Sequence, residues 1–213
     1  MTTAARLVVL ISGSGSNLQA VLDGCSRGIL QAEVAAVVSN RPDAYGLLRA
    51  QSIGIPTVVF PAKKGQERSA YDLALADVAA SFHPDWLILA GWMRLLTGNF
   101  INHFTNRVIN LHPALPGTFP GVHAIERAFH AWQCGQIPYT GVMVHLVPDE
   151  GVDNGPLLNQ RIVPFEDGDT LEKLESRIHN VEHELLVETI QELITIGLER
   201  TILNAKSNSL CTR

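Results

Sequence analysis

Cysteine is scarce in this chain, and blocks of like charge are missing. The three cysteines, Cys25, Cys134 and Cys211, are odd in number and show neither metal-site spacing nor a disulfide framework. That favours a reducing compartment, so the expected location is cytoplasmic. No run of five like charges occurs and the net charge is −5, which argues against a nucleic-acid surface. Long apolar runs are lacking too. Leu7 to Ile11 is too short for a signal-peptide core, and Trp86 to Met93 is interrupted by Gly91 and too short to span a bilayer, so no membrane role is expected. No repeat, low-complexity segment or linker divides the 213 residues. One domain is expected over residues 1–197, with 198–213 as a partly disordered C-terminal tail whose last residues, Lys206 to Arg213, are polar and frayed.

What is present is a strand–helix alternation. The 46% hydrophobic content is ample for a core. Leu7 to Ile11 and Val34 to Val38 are continuous apolar runs, as expected of strands buried on both faces. A helix with Leu18, Val21 and Leu22 on one side follows the first. A second helix is predicted from Asp43 to Ile53, with Pro42 in its first turn and Gly54 closing it. Thr57 to Phe60, Asp85 to Ala90 and Val108 to Leu111 read as further strands, and Gln66 to Ser81 as a helix with Tyr71, Leu75 and Val78 inward. Such alternation predicts an α/β fold: a mostly parallel twisted sheet with helices on both faces. Thr140 to Val147 and Leu157 to Val163 read as an antiparallel addition near the C-terminal part. Asp169 or Thr170 caps a long helix that Gly197 ends.

Three stretches carry chemistry. Val108 to Gly121 begins as a strand, ends in Asn110 and His112, and continues into a loop stiffened by Pro113, Pro116 and Pro120. Residues i and i+2 of a strand share a side, so the Asn110 amide and the His112 imidazole point into one space. A donor beside a proton carrier suits acyl transfer at a carbonyl. The plainer reading of an isolated Asn-x-His is a capped strand end with a hydrogen-bonded core histidine. Ser12-Gly-Ser-Gly-Ser-Asn17 lies between a strand and a helix and aims backbone N–H groups at one point, a cradle for a single phosphate. It is not the dinucleotide fingerprint, because Leu18 stands where the third glycine belongs, and it lacks the lysine of a P-loop. Asp149, Glu150 and Asp153 sit in a glycine-bearing loop that could deliver a carboxylate to an imidazole, or could be a solvated acidic turn. His179-Asn-Val-Glu-His183 fits a zinc pattern but lacks a third ligand with a matching loop downstream, so no metal is expected. His145, mid-strand, reads as a satisfied core histidine.

Ser12-Gly-Ser-Gly-Ser-Asn17, Ala90-Gly-Trp-Met-Arg94, Asn110-Leu-His-Pro113 and Asp149 to Pro156, taken in that order, resemble the folate-dependent formyltransferases of the phosphoribosylglycinamide formyltransferase type. The resemblance runs from about Leu7 to Gly197. It implies a formyltransferase-like Rossmannoid domain that moves the formyl group of 10-formyltetrahydrofolate onto the amine of glycinamide ribonucleotide, as a monomer or homodimer. It further implies roles for particular residues. Asn110, His112 and Asp153 match the catalytic trio, with Asp153 keeping His112 charged. Gly15, Ser16 and Asn17 match the holders of the substrate's phosphate and ribose, and Glu182 the acid that meets its amine. Arg68, Met93, Arg94, Leu95, Leu96 and Asn110 match the folate site. Many relatives have Ser-Leu-Leu-Pro after the His-Pro pair, where this chain has Ala114-Leu-Pro-Gly117. The nearest rivals are a formyltetrahydrofolate deformylase, which shares the trio but lacks the glycine loop, and a non-catalytic nucleotide- or folate-binding module.

Overall fold

In the computed structural model, residues 4–210 are described, with side chains to residue 197. One seven-stranded sheet forms the middle layer, in the order β3-β2-β1-β4-β5-β6-β7. Its strands are β1 (Ala5–Ile11), β2 (Ala32–Ser39), β3 (Thr57–Val59), β4 (Trp86–Leu89), β5 (Val108–His112), β6 (Tyr139–Leu146) and β7 (Leu157–Pro164). The first five are mutually parallel, whereas β6 pairs antiparallel with both β5 and β7. A single reversed strand is therefore inserted near the C-terminal end of the sheet, as the sequence pattern leads one to expect.

The apolar runs are explained by what lies on each face. Leu7, Val9 and Ile11 of β1 pack with α1 (Ser16–Ser26), α2 (Tyr45–Gln51) and α6 (Leu171–Leu210), while Val8 and Leu10 pack on the other face with Tyr71 and Leu75 of α3 (Arg68–Ala80). A strand covered on both sides has no solvent face to keep polar. A short α4 (Gly98–Ile101) and a 3-10 turn at Asn102–Phe104, neither evident from periodicity, cover the sheet beside α3 with Phe100 and Phe104. α5 (Ala124–Gln133) completes the opposite layer.

Three expectations need correcting. Helix α2 begins at Tyr45, and Pro42 lies in the turn before it, because residues 41–43 are held by an Asp43–Arg41 pair and the Ser39 hydroxyl rather than by helical bonds. In α3 the inward positions after Leu75 are Ala76 and Ala79, and Val78 is only half-buried. Gly197 does not end the last helix, because it does not adopt the positive φ of a terminating glycine; a glycine of ordinary helical conformation weakens a helix by about 1 kcal/mol without stopping it. The expected tail of residues 198–213 is thus helical to Leu210, and residues 211–213 lie outside the described residues. Thr170, not Asp169, caps this helix, its hydroxyl accepting from the Lys173 N–H at 3.3 Å, while Asp169 pairs with Arg177.

The order 3-2-1-4-5 reverses direction between β1 and β4. In open parallel sheets the crevice at the C-terminal ends of such strands is where ligands bind. The ends of β1, β4 and β5 all open here.

Candidate active site

A cavity of about 790 Å³ lies at these strand ends. It is lined on one side by the glycine loop 13–17, in the middle by residues 89–96 after β4, and on the other side by Asn110, His112, His145 and the loop that carries Asp153. Glu182 reaches it from α6.

The strand β5 does what its alternation requires. Asn110 and His112 project to the same side, and β6 sets His145 opposite Asn110. The loop between β6 and β7 then folds back over them. Gly155 makes that turn possible: a Cβ there would stand 1.8 Å from the Leu146 carbonyl oxygen. Asp153 itself takes a left-handed conformation, φ 50°, an uncommon state that clusters at functional loops. Its carboxylate collects donors from three segments. Oδ1 accepts from Asn110 Nδ2 at 2.9 Å, and Oδ2 accepts from the Gly121 N–H at 2.7 Å. His112 Nδ1 lies 3.3 Å from Oδ2, and His145 Nε2 lies 3.6 Å from Oδ1. Burial works against the charged carboxylate, but His145, the Gly121 N–H and His112 together outweigh it and hold Asp153 below the ordinary aspartate range.

His112 is the counterpart. Its side chain is 5% exposed, and its Nε2 lies 3.1 Å from the Phe119 carbonyl oxygen. Arg127 donates to that carbonyl and to Pro120 O, each at 2.7 Å, which fixes the loop against the ring. Both ring nitrogens therefore face oxygen acceptors, an environment that suits an imidazolium once formed. Burial nevertheless dominates and pushes the His112 pKa below its usual value, against the raising pull of Asp153 and the Phe119 carbonyl. The expectation that Asp153 keeps His112 charged meets an opposing influence: the carboxylate raises the imidazole pKa, and burial lowers it by more.

His145 is more than the satisfied core histidine expected. Its Nδ1 lies 2.8 Å from the Leu146 carbonyl oxygen, and its Nε2 lies 3.2 Å from the Asn110 amide nitrogen, beside the Asp153 carboxylate. Antiparallel pairing of β6 with β5 creates this contact, and no local signal around His145 announces it.

The opposite wall is made mostly of backbone. Gly15, in the left-handed region at φ 70°, is the N-cap of α1, so the first-turn amides of Ser16 and Asn17 have no intrahelical partner, and both residues line the cavity. The Ser12 hydroxyl donates to Asn40 Oδ1 at 2.7 Å and accepts from the Met93 N–H at 2.9 Å, which ties this loop to the one after β4. Glu182 is buried and its Oε2 sits 2.7 Å from His179 Nδ1 and 3.4 Å from Asn17 Nδ2. The hydrogen bond to Glu182 is the largest influence on His179 and raises its pKa. His179 is thereby engaged with Glu182, and among the described residues no three side chains converge as metal ligands.

Met93, Arg94, Leu95 and Leu96 line the cavity, with Met93 67% exposed. The Arg94 guanidinium lies 4.5 Å above the Tyr71 ring. Arg68 is not brought to the site. It ends the charged stretch of residues 61–68, in which every side chain is exposed to water. Arg41, also on the lining, was missed, because the Asp43 beside it makes it look like an ordinary surface ion pair.

A family model described as formyl transferase matches residues 5–190, nearly the whole sheet and its helices. The chain belongs to the formyl transferase family. A phosphoribosylglycinamide formyltransferase of Schizosaccharomyces pombe is 48% identical over 203 residues, covering 90% of this chain and 98% of that protein. The Escherichia coli protein of the same name is 40% identical, covering 84% of this chain and 82% of its own. Among solved structures, glycinamide ribonucleotide transformylase 1 from Symbiobacterium toebii superposes with a TM-score of 0.83 at 42% identity, over 90% of this chain and 88% of that one. As a member of the formyl transferase family the protein is an enzyme, and the α/β sheet with one reversed strand is the architecture expected of it. Among the described residues no helix is long and apolar enough to cross a membrane.

Proposed function

We propose that this enzyme transfers the formyl group of 10-formyltetrahydrofolate to the amine of glycinamide ribonucleotide, a step of purine biosynthesis. The observation that carries the reading is the convergence of Asn110, His112 and Asp153 on one side of a cavity whose other side is the amide-rich loop of Gly15, Ser16 and Asn17. The names of the similar proteins support the same substrates.

The ribonucleotide's phosphate rests on the first-turn amides of α1, where backbone N–H groups and the helix dipole favour an anion. Glu182, held by His179 and Asn17, accepts hydrogen bonds from the substrate amine. The folate lies along residues 93–96, against Met93, Leu95 and Leu96 and the backbone of Arg94. The neutral amine attacks the formyl carbon, a C–N bond forms, and the carbonyl oxygen becomes an oxyanion. Asn110 meets that oxyanion with one amide proton, keeping the other on Asp153. His112, neutral at rest, accepts the proton released by the amine. The imidazolium so formed finds Asp153 on one nitrogen and passes the proton to the folate nitrogen as the C–N bond to the folate breaks. One oxyanion donor of this kind lowers the barrier by about 3 kcal/mol.

All these groups come from one chain, so a monomer suffices and a homodimer would carry two complete sites. Cys25 and Cys134 are unpaired, in keeping with a cytoplasmic enzyme.

Incubation with 10-formyltetrahydrofolate, with and without glycinamide ribonucleotide, tests the proposal. Formylated ribonucleotide formed only when both are present is the expected result. Formate released without the ribonucleotide would instead identify a deformylase, and ligand binding without turnover a binding module.

A further inference from the structure

Helix α2 touches the glycine loop from outside the cavity, and the contact is unusually close. A Cβ on Gly46 would lie 2.4 Å from Ile11 Cδ1 and 3.1 Å from the Gly15 Cα, and one on Gly15 would lie 2.6 Å from the Gly46 Cα. Two bare backbones thus meet, and side-chain-free residues are needed on both sides for them to do so. The approach brings two donors onto the loop's carbonyls. The Gly46 N–H donates to Gly13 O at 3.1 Å, and Arg49 Nε donates to Ser14 O at 2.9 Å. Arg49 is itself fixed in place: its Nη1 donates to Gln19 Oε1 at 3.2 Å, and its guanidinium lies 4.9 Å from the centre of the Tyr45 ring.

The consequence is electrostatic. A peptide loop offers both N–H and C=O groups, and an anion is attracted by the first and repelled by the second. A loop selective for phosphate must turn its carbonyls away, and each carbonyl turned away needs a donor on the far side. Gly13 and Ser14, the two exposed positions of the loop, have those donors in Gly46 and Arg49. We propose that α2 is an outer clamp on the anion loop and that Arg49 is a positioning residue for recognition of the substrate's phosphate, acting through the Ser14 carbonyl without touching substrate. This rests on the reading that Gly15, Ser16 and Asn17 hold that phosphate.

The test compares the wild type with Arg49→Ala and Arg49→Lys, on glycinamide ribonucleotide and on the same compound lacking its 5′-phosphate. Charge-assisted hydrogen bonds of this kind govern about a tenfold change in affinity. Arg49→Ala is therefore expected to raise the KM for the ribonucleotide about tenfold, leave kcat and the KM for the folate within about twofold, and leave the dephosphorylated substrate's kcat/KM unchanged. Arg49→Lys, which keeps charge but not the planar fork, should recover only part of the loss. An unchanged KM for the ribonucleotide in Arg49→Ala overturns the clamp. So does an equal loss on both substrates, which marks general damage to the fold. If the wild type itself fails to prefer the phosphorylated substrate, it is the phosphate reading of the loop that falls, whatever the variants do.

Discussion

The cavity has two walls built on opposite plans. The glycine-loop wall presents backbone amides at the start of α1 and is shaped by residues without side chains, Gly15 above all. The wall formed by β5, β6 and the late acidic loop presents four titratable or amide side chains drawn from three separate segments. Backbone amides carry fixed dipoles and do not titrate, so an anion held on the first wall, as proposed, would meet amides whose charge stays the same where histidine changes its own. In the proposed reaction the second wall works by titrating, and burial works against neighbouring charge in setting the pKa directions of His112 and Asp153. Binding and chemistry are thereby assigned to groups that respond to different perturbations.

That division can be broken from either side. The largest effect is expected for His112→Ala, which removes the proton acceptor: kcat should fall by about a hundredfold or more, with the KM for the ribonucleotide unchanged. A parallel rise in KM, measured in the same steady-state assay, would show that the walls are not independent.

Asp153→Asn should lower kcat by between about tenfold and a hundredfold and also move the pH profile. His112 works from its neutral form, so kcat/KM should climb as pH rises and level off above the imidazole pKa, which burial places below 6.5. Asp153 raises that pKa, so losing its charge shifts the rising limb to lower pH. A limb that stays in place, or moves upward, contradicts the pairing.

Gly15→Ala attacks the other wall. Its methyl group meets the Gly46 backbone at 2.6 Å in a left-handed conformation, so unfolding free energy should drop by about 2 kcal/mol or more. The KM for the ribonucleotide should rise while kcat at saturation holds, the mirror image of His112→Ala. Loss of kcat alone would refute the role of this loop in binding.

The smallest effect concerns His179. Its pKa is raised by Glu182, so its contribution to stability is fully present below the unfolded value of 6.5 and is lost as pH rises through the higher folded value. The pair's histidine is 48% exposed, which limits the term to under about 1 kcal/mol. Denaturant unfolding of His179→Ala against wild type should show a larger deficit at about pH 6 than at about pH 8; the opposite order would exclude the pair as the cause.

Much of this was legible in the chain. The Asn110–His112 spacing fixes a shared direction because strand geometry has period two, and the glycine loop announces itself by position between strand and helix. Other features were not. His145 looked like core because its meaning comes from lying opposite Asn110 across β5 and β6, a partnership between residues 35 apart in the chain. Arg127 and the Gly121 N–H carry no motif at all and matter only through what they hold. Gly197 has the residue type of a helix terminator but not the conformation of one.

By itself the sequence determined the layering: apolar runs of strand length, each followed by a turn and an amphipathic helix, can bury both faces of a sheet in few other ways. It also determined which chemistries were on offer, since an imidazole, an amide and an acid are legible as letters. The tertiary structure alone decided how Asp153, already singled out by the resemblance, meets Asn110, the Gly121 N–H and His112, and how far burial works against that carboxylate at the imidazole. The reason is that a pKa and a hydrogen-bond partner depend on solvent exclusion and on distances of a few ångströms, which are set by the closure of the β6–β7 loop over β5 and appear nowhere in local sequence.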